Sequence, residues 1–338
     1  MELIQLNTVC NFKQWKTIPT KELKDNGFPV WGANGIIGYS DEYNHTDPTI
    51  MICCRGATCG AINVSSGKCY INGNAMCVDN LSEEYAIDFV AYFLKHYDFS
   101  GIITGAAQPQ ITQNGLAKIF IPKMSIAEQN YIASNLRKIE KSITLKEQEL
   151  HALDDLVKSR FIEMFGDPQS NDKQFPTKRV IDIVTLQRGH DLPVQNRDNS
   201  GVIPVYGSNG VLGVHNISKC SRGIITGRSG TIGEVYVSEE PFWPLNTTLY
   251  SIDTHDNNLV YLKYLLIFFD LKRFMSGAGV PTLNRNEFHG KDIMDVPIVL
   301  QNEFAEFVKL TDKSKFIVQK QIEDLQELLD SKMDEYFG

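Results

Sequence analysis

One twelve-residue pattern occurs twice in this chain, as FPVWGANGIIGY at 28–39 and as IPVYGSNGVLGV at 203–214. Six positions are identical: Pro29, Val30, Gly32, Asn34, Gly35 and Gly38 against Pro204, Val205, Gly207, Asn209, Gly210 and Gly213. Glycine and asparagine tolerate positive φ, so the repeated content is a turn of fixed shape between two short apolar runs. Further matches follow in the same order. CRGATCGAINV (54–64) corresponds to GRSGTIGEVYV (227–237) through Arg55, Thr58, Gly60 and Val64 against Arg228, Thr231, Gly233 and Val237. TGAAQPQITQNGL (104–116) corresponds to SGAGVPTLNRNEF (276–288) through Gly105, Ala106, Pro109 and Asn114 against Gly277, Ala278, Pro281 and Asn286. IFIPKMSIAEQ (119–129) corresponds to IMDVPIVLQNEF (293–304) around Pro122 and Pro297. The spacing drifts only from 175 residues (Gly32 to Gly207) to 172 (Pro109 to Pro281), as in a duplicated domain with small loop insertions. Two copies are too few for a solenoid, so each is expected to be a domain in its own right.

Each copy ends in a different kind of sequence. Apolar residues at Ile132, Leu136, Ile139, Ile143, Leu150, Leu153 and Val157 follow a four-and-three spacing, with Lys146 as a polar insertion. That is a heptad seam, and it stops where Gly166 and Pro168 forbid continuation. Phe304, Val308, Val318, Ile322, Leu325, Leu329 and Tyr336 form a second seam. Two helices of roughly 35 to 40 residues, about 50 to 60 Å long, are expected. A narrow stripe favours pairing of the two helices; packing of each stripe onto its own domain is the alternative. Within the copies, TIMICC, GAINV, GIITG, GEVYV and TTLYSID read as strands, and EEYAIDFVAYFLKHY and LVYLKYLLIFFDLKRF as one apolar helix each. The expected fold class is α+β, with mixed α/β domains at 1–123 and 167–298 and long helices at 124–166 and 299–338.

Composition removes several function classes. The 42% hydrophobic content of 338 residues suits globular domains, and no stretch long and apolar enough for a membrane span or a secretory leader is present, which points to the cytoplasm. The seven cysteines include no C-x-x-C pair, so buried reduced thiols are expected in place of disulfides or zinc. The formal charge of −8 speaks against a generally basic protein. Part of it sits in the helical segments, so local clustering must decide whether an anionic polymer binds.

A catalytic constellation is not found. GRSGTIGEV and GAINVSSGK depart from the Walker and kinase spacings, and Ala57 replaces Gly230 in the other copy. The seven histidines stand singly in the sequence, no H-E-x-x-H occurs, and neither N-P-P-Y nor D-P-P-Y is present. What the copies do offer is hydrogen-bond donors on turns. Arg55, Thr58, Gln108, Gln110, Thr112 and Asn114 stand in the first, and Arg228, Thr231, Asn284, Arg285 and Asn286 in the second. Arg, Asn and Gln can pair bidentately with guanine and adenine edges in the major groove. Lys68 and Lys95 in the first copy and Arg222 in the second add cations for phosphates. The alternative is that these are ordinary turn residues.

This layout resembles the specificity subunits of type I restriction–modification systems. The resemblance covers essentially the whole chain and is carried by IPVYGSNGVLG, the arginine–glycine turn, SGAGVPTLNRNEF, VPIVLQNEF and the terminal helix. It implies two target recognition domains, each reading one half of a split site in double-stranded DNA, and two antiparallel helices forming a coiled-coil spacer between them. It further implies a non-catalytic chain with no cofactor or metal of its own. Its partners would be modification subunits that bind S-adenosylmethionine and methylate adenine, and a restriction subunit that cleaves with ATP. Two other readings differ in class: a single-chain DNA methyltransferase or nuclease, and a scaffold that binds only proteins.

Overall fold

The short β-branched runs pair into the same set of sheets twice. The structure, a computed structural model, describes residues 2–338 except 106, 107, 199, 278 and 280, so the matched Ala106 and Ala278 lie outside the described residues. Two units are present: Met1–Glu147 together with Lys320–Gly338, and Gln148–Gln319.

In the first unit the strands are β1 (Leu3–Gln5), β2 (Asn11–Lys13), β3 (Phe28–Gly32), β4 (Gly35–Ser40), β5 (Ile50–Cys53), β6 (Ile62–Val64), β7 (Tyr70–Ile71), β8 (Ala75–Asp79) and β9 (Phe120–Pro122). Helices α1 (Ile87–His96) and α2 (Gln113–Leu116) complete it, and the long α3 (Ile126–Phe165) begins there. A four-stranded sheet has the order β2-β8-β5-β6, a three-stranded one β4-β3-β7, and β1 pairs with β9. The second unit holds β10 (Thr177–Arg179), β11 (Thr185–Arg188), β12 (Ile203–Gly207), β13 (Gly210–His215), β14 (Gly223–Gly227), β15 (Val235–Ser238), β16 (Trp243–Pro244), β17 (Thr248–Asp253), β18 (Met275–Ser276), β19 (Thr282–Leu283) and β20 (Asp292–Met294). Its helices are α4 (Leu259–Phe268), α5 (Arg285–His289) and the start of α6 (Ile298–Phe337). Its sheets run β11-β17-β14-β15, β13-β12-β16 and β10-β20, in the same orders as the first unit, and β18-β19 adds a two-stranded sheet without a counterpart among the named strands there.

The repeated pattern is a two-residue hairpin. Gly32 pairs with Gly35 and Gly207 with Gly210, and each ladder shifts register at one place, Val30/Trp31 and Val205/Tyr206. Gly35 and Gly210 have φ of 135° and 103°, a region closed to most side chains. Gly32 and Gly207 answer a different need. A Cβ at Gly32 would lie 2.9 Å from the Ile37 side chain, and one at Gly207 would lie 2.3 Å from that of Leu212.

Both faces of each four-stranded sheet are covered, which is why its central strands read as unbroken apolar runs. In the first unit Ile50, Ile52, Met76 and Val78 meet Phe89, Val90, Phe93 and Leu94 of α1, while Met51 and Cys77 turn the other way toward Cys69, Trp15 and Trp31. In the second, Ile224, Val235 and Leu249 meet Leu262, Leu265 and Leu266 of α4, and Ile225 and Tyr250 turn toward Phe242 and Tyr206. All seven cysteines are free, five of them buried. Among the described residues no helix is long and apolar enough to cross a membrane.

The long helices have 40 residues each. A buried glutamine fixes the start of each. Gln129 accepts from Ala86 N (2.8 Å) and donates to Glu84 O (2.8 Å) and Met124 O (3.0 Å). Gln301 accepts from Asn258 N (2.9 Å) and donates to Val296 O (2.8 Å) and Asn257 Oδ1 (2.7 Å). This equivalence corrects the alignment of Pro122 with Pro297. Pro122 ends β9 as Met294 ends β20, and Pro297 corresponds to Ser125, which caps α3 reciprocally with Glu128 (2.9 and 3.3 Å).

The last turns of each helix pack on the apolar helix of the unit they enter. In the second unit Phe161 and Phe165 of α3 stack around Tyr261 and Phe304, and Asp154 and Arg160 of α3 pair with Lys315 (2.6 Å) and Glu303 (2.9 Å) of α6. In the first unit Phe337 of α6 lies against Phe89 (5.4 Å) and Phe93 (5.8 Å) of α1. The gap in the α6 seam between Val308 and Val318 is filled by buried Thr311 and half-buried Lys315, polar residues that hydrophobicity alone does not mark.

Candidate nucleic-acid interface

In each unit three loops meet: the hairpin turn, the loop leaving the second strand of the four-stranded sheet's core, and the segment leading into the short helix. In the first unit Asn63 on β6 donates to Ala33 O in the turn (2.9 Å). Gly56 N bonds Pro109 O (3.2 Å), Ile111 N bonds Cys54 O (3.0 Å), and Arg55 bridges Gln110. In the second, Cβ atoms at Gly227 and Gly230 would lie 3.3 and 3.1 Å from the Ser208 side chain. There Leu283 N bonds Arg228 O (2.8 Å) and Ser229 bridges Thr282.

These bonds show that Arg55 and Arg228 are not equivalent, contrary to their alignment. Arg228 stands where the first unit has Cys54, and Arg55 stands where the second has Ser229. The first loop is one residue longer, Ile52 pairing Ile62 where Thr226 pairs Val235. Arg55 is exposed; Arg228 is half-buried with its Nε donating to Asn246 O (3.2 Å). In the first unit Gln14 serves the corresponding Gly73 O (3.2 Å) and also reaches Cys54 Sγ (2.9 Å).

The remaining candidates divide. Thr58 and Thr231 are exposed in their loops, the Thr58 hydroxyl lying 3.2 Å from Cys53 Sγ. Gln108 is exposed, whereas Gln110 is half-buried and exchanges two 2.8 Å backbone bonds with Thr104. Thr112 and Asn284 are helix N-caps: the Thr112 hydroxyl accepts from Gly115 N (3.2 Å) and the Asn284 side chain from Glu287 N (3.2 Å). Their side-chain oxygens are committed to α2 and α5. Asn114 and Asn286 are exposed on these short helices beside the loops, with Arg285 half-buried.

Three cations lie elsewhere. Lys68 sits over the Tyr43 and Phe28 rings (4.1 and 5.1 Å), at the end of β3 away from the turn. Arg222 precedes β14, the end opposite Arg228, and faces Glu239 at 3.7 Å. Lys95 pairs with Glu140 at 2.8 Å.

Sequence reasoning passed over Arg188, Asp191 and Asn246. Arg188 lies 3.5 Å from Asp191, which also hydrogen-bonds Asn246 beside Arg228. The signal available was the dipeptide Arg188–Gly189, which repeats Arg55–Gly56 and Arg222–Gly223. The strand pairings put Gln14 where the second unit has Arg188, so the second loop cluster carries Arg188, Arg228 and Arg285 against Gln14, Cys54 and Gln113 in the first. The histidines stand singly in the sequence, and the fold brings one of them to a carboxylate: His45 Nε2 lies 2.9 Å from Asp79 Oδ1.

The chemistry the clusters can perform is recognition by hydrogen bonds. Burial pushes the Cys10 thiol up to about 12 and raises those of Cys54, Cys59 and Cys69, which leaves them protonated and poor nucleophiles at neutral pH. Exposed Arg, Gln, Asn and Thr on loops held by a rigid sheet are donors suited to base edges and phosphate oxygens.

Comparison with known proteins agrees with this geometry. A type I restriction enzyme EcoprrI specificity subunit from Escherichia coli is 31% identical over 115 residues, a match that spans 33% of this chain and 28% of that protein. The crystal structure of a type I restriction-modification system S subunit from M. genitalium superposes with a TM-score of 0.66 at 17% identity, covering 100% of this chain and 96% of the other. A chain from a study of complex assembly and conformational transition in the type I R-M system gives 0.62 at 12% identity, covering 99% and 97%. Those two likenesses are of fold. The family model described as type I restriction modification DNA specificity domain matches residues 1–154 and again 172–327, and on that double match the chain belongs to this family.

Proposed function

We propose that this chain is the non-catalytic DNA-specificity subunit of a type I restriction–modification complex, each repeat reading one half of a bipartite site in double-stranded DNA. The observation that carries the reading is the three-loop cluster built twice on one strand order and register, with different side chains at equivalent points. An unchanged frame holding unlike donors is what two unlike half-sites require. Helices α3 and α6 act as an antiparallel coiled-coil spacer whose length sets the gap between the halves. The ion pairs Asp154–Lys315 and Arg160–Glu303 support that role, since residues later in α3 meet residues earlier in α6. Methyl transfer and cleavage belong to partners, modification subunits carrying S-adenosylmethionine and an ATP-dependent restriction subunit, in the cytoplasm.

The test is methylation mapping with the assembled modification complex. Arg55→Ala should relax one half of the recognised motif and Arg285→Ala the other, each by roughly 1–3 kcal/mol of discrimination. An added heptad in both α3 and α6 should lengthen the gap. Methylation by the chain alone, or a motif unmoved by all three changes, would overturn the proposal.

A further inference from the structure

We propose that His45, Cys77 and Asp79 form a binding site for a zinc(II) ion in the first unit. Cys77 and Asp79 are two apart on β8 and therefore share one face of the strand. His45 is brought over that face by a pair of backbone bonds to Cys69 (3.1 and 3.0 Å). One donor atom from each of the three lies within 4.8 Å of the others. Tetrahedral zinc with N, O and S ligands needs separations of about 3.3–3.8 Å. The His45–Asp79 distance of 2.9 Å must open slightly, and a thiol within 4.8 Å must close by up to about 1 Å, for a metal to be held.

The surrounding hydrogen bonds fix the ring. The Asn44 amide is oriented by Ile71, whose N–H donates to Oδ1 (2.8 Å) while Asn44 Nδ2 donates to its carbonyl (2.9 Å). Asn44 Oδ1 then faces His45 Nδ1 at 2.7 Å, so Nδ1 carries a hydrogen. Nε2 is left with its lone pair toward Asp79 Oδ1, itself an acceptor. Two acceptors facing each other call for a proton or a cation between them. Trp15 Nε1 holds the other carboxylate oxygen at 3.1 Å. Ring and carboxylate thus both have the outer partners that orient metal ligands.

The second unit is an internal control. The bridge His45–Cys69 corresponds to Cys220–Phe242, and the β8 positions of Cys77 and Asp79 correspond to Tyr250 and Ile252 of β17. The same frame is built there without the three ligands, so folding does not demand them. A cleft of about 930 Å³ bordered by Asn11, Lys13, His45 and Asp79 leaves room for a water as fourth ligand. A thiolate, an imidazole and one carboxylate select zinc over magnesium or calcium.

The experiment uses the purified full-length chain, stripped with chelator and titrated with Zn(II) and with Co(II) as the spectroscopic probe. The expected result is one metal per chain and the near-ultraviolet charge-transfer absorption of a thiolate–Co(II) bond. Cys77→Ser should abolish that band, His45→Gln should weaken binding at least about tenfold, and Cys220→Ser should change neither. Wild-type chain that takes up no metal, or takes it up without the thiolate band, overturns the site. So does a folded Cys77→Ser chain that keeps the band.

Discussion

The two units share strand order, hairpin register, the buried glutamine at the start of each long helix and exposed Asn34/Asn209, Thr58/Thr231 and Asn114/Asn286 of the loop cluster, yet they differ at other positions of that cluster. Where the first unit places Gln14, Cys54 and Gln113, the second places Arg188, Arg228 and Arg285. The frame is what the two copies hold in common, and these loop positions are where they diverge. They also differ inside the frame. Phe165 at the end of α3 is fully buried, whereas its counterpart Phe337 at the end of α6 is half-buried. Phe165→Ala should therefore cost about 3–5 kcal/mol in the second unit, with Phe337→Ala costing distinctly less in the first. Urea denaturation read by hydrogen-exchange labelling of each unit measures both. Equal losses would mean that the two helix ends are worth the same and that the difference in burial has no energetic meaning.

The next largest effect tests the part of the frame held in common. Gln129→Leu and Gln301→Leu each orphan a half-buried backbone N–H and at least one carbonyl, a loss of about 1–3 kcal/mol per unit. The same assay should give nearly the same value for both, and a wide disparity would show that only one unit depends on the glutamine. Smaller again is the cost of removing the caps. Thr112→Ala and Asn284→Ala should each destabilise by about 1 kcal/mol. If either instead left stability untouched while relaxing half of the methylated motif, that side chain would be a reader and not a cap.

The seams of α3 and α6 were legible because they repeat at a period that helix geometry imposes, and the duplication because the same turn residues recur in the same order. Gly32 and Gly207 match for a local reason, room for Ile37 and Leu212. The alignment failed where its warrant was identity of letters alone. Arg55 met Arg228 through a one-residue change in loop length that leaves no trace in composition, and only the bonds from Ile111 and Leu283 reveal it; Pro122 met Pro297 across a three-residue slip that the bonds of Gln129 and Gln301 reveal. Thr112 and Asn284 each begin a short helix, where capping engages the side-chain oxygen as acceptor and fixes the side chain while leaving its hydroxyl or amide hydrogens to donate. The His45–Asp79 contact joins residues 34 apart in sequence through the β4–β5 connection, and no spacing rule announces it.

The smallest effect separates the units by pH. His289 at the end of α5 is buried and accepts from Leu186 N through Nε2 (3.1 Å). Burial, and then the nearby Arg285 charge, hold its imidazole below the ordinary value of 6.5. The folded second unit thus binds fewer protons than its unfolded chain, and stability must fall as protons are added. The contribution is complete above the ordinary histidine range and is lost as pH drops from about 6.5 through the lowered folded value. The first unit has Ala117 at the equivalent place and lacks this liability. Urea titrations equilibrated between about pH 7.5 and 5.5, then labelled by exchange at one fixed pH, should show an added acid sensitivity in the second unit alone. His289→Gln, whose amide can still accept from Leu186, should remove it; a second unit no more acid-sensitive than the first would mean that the imidazole escapes its site before it titrates.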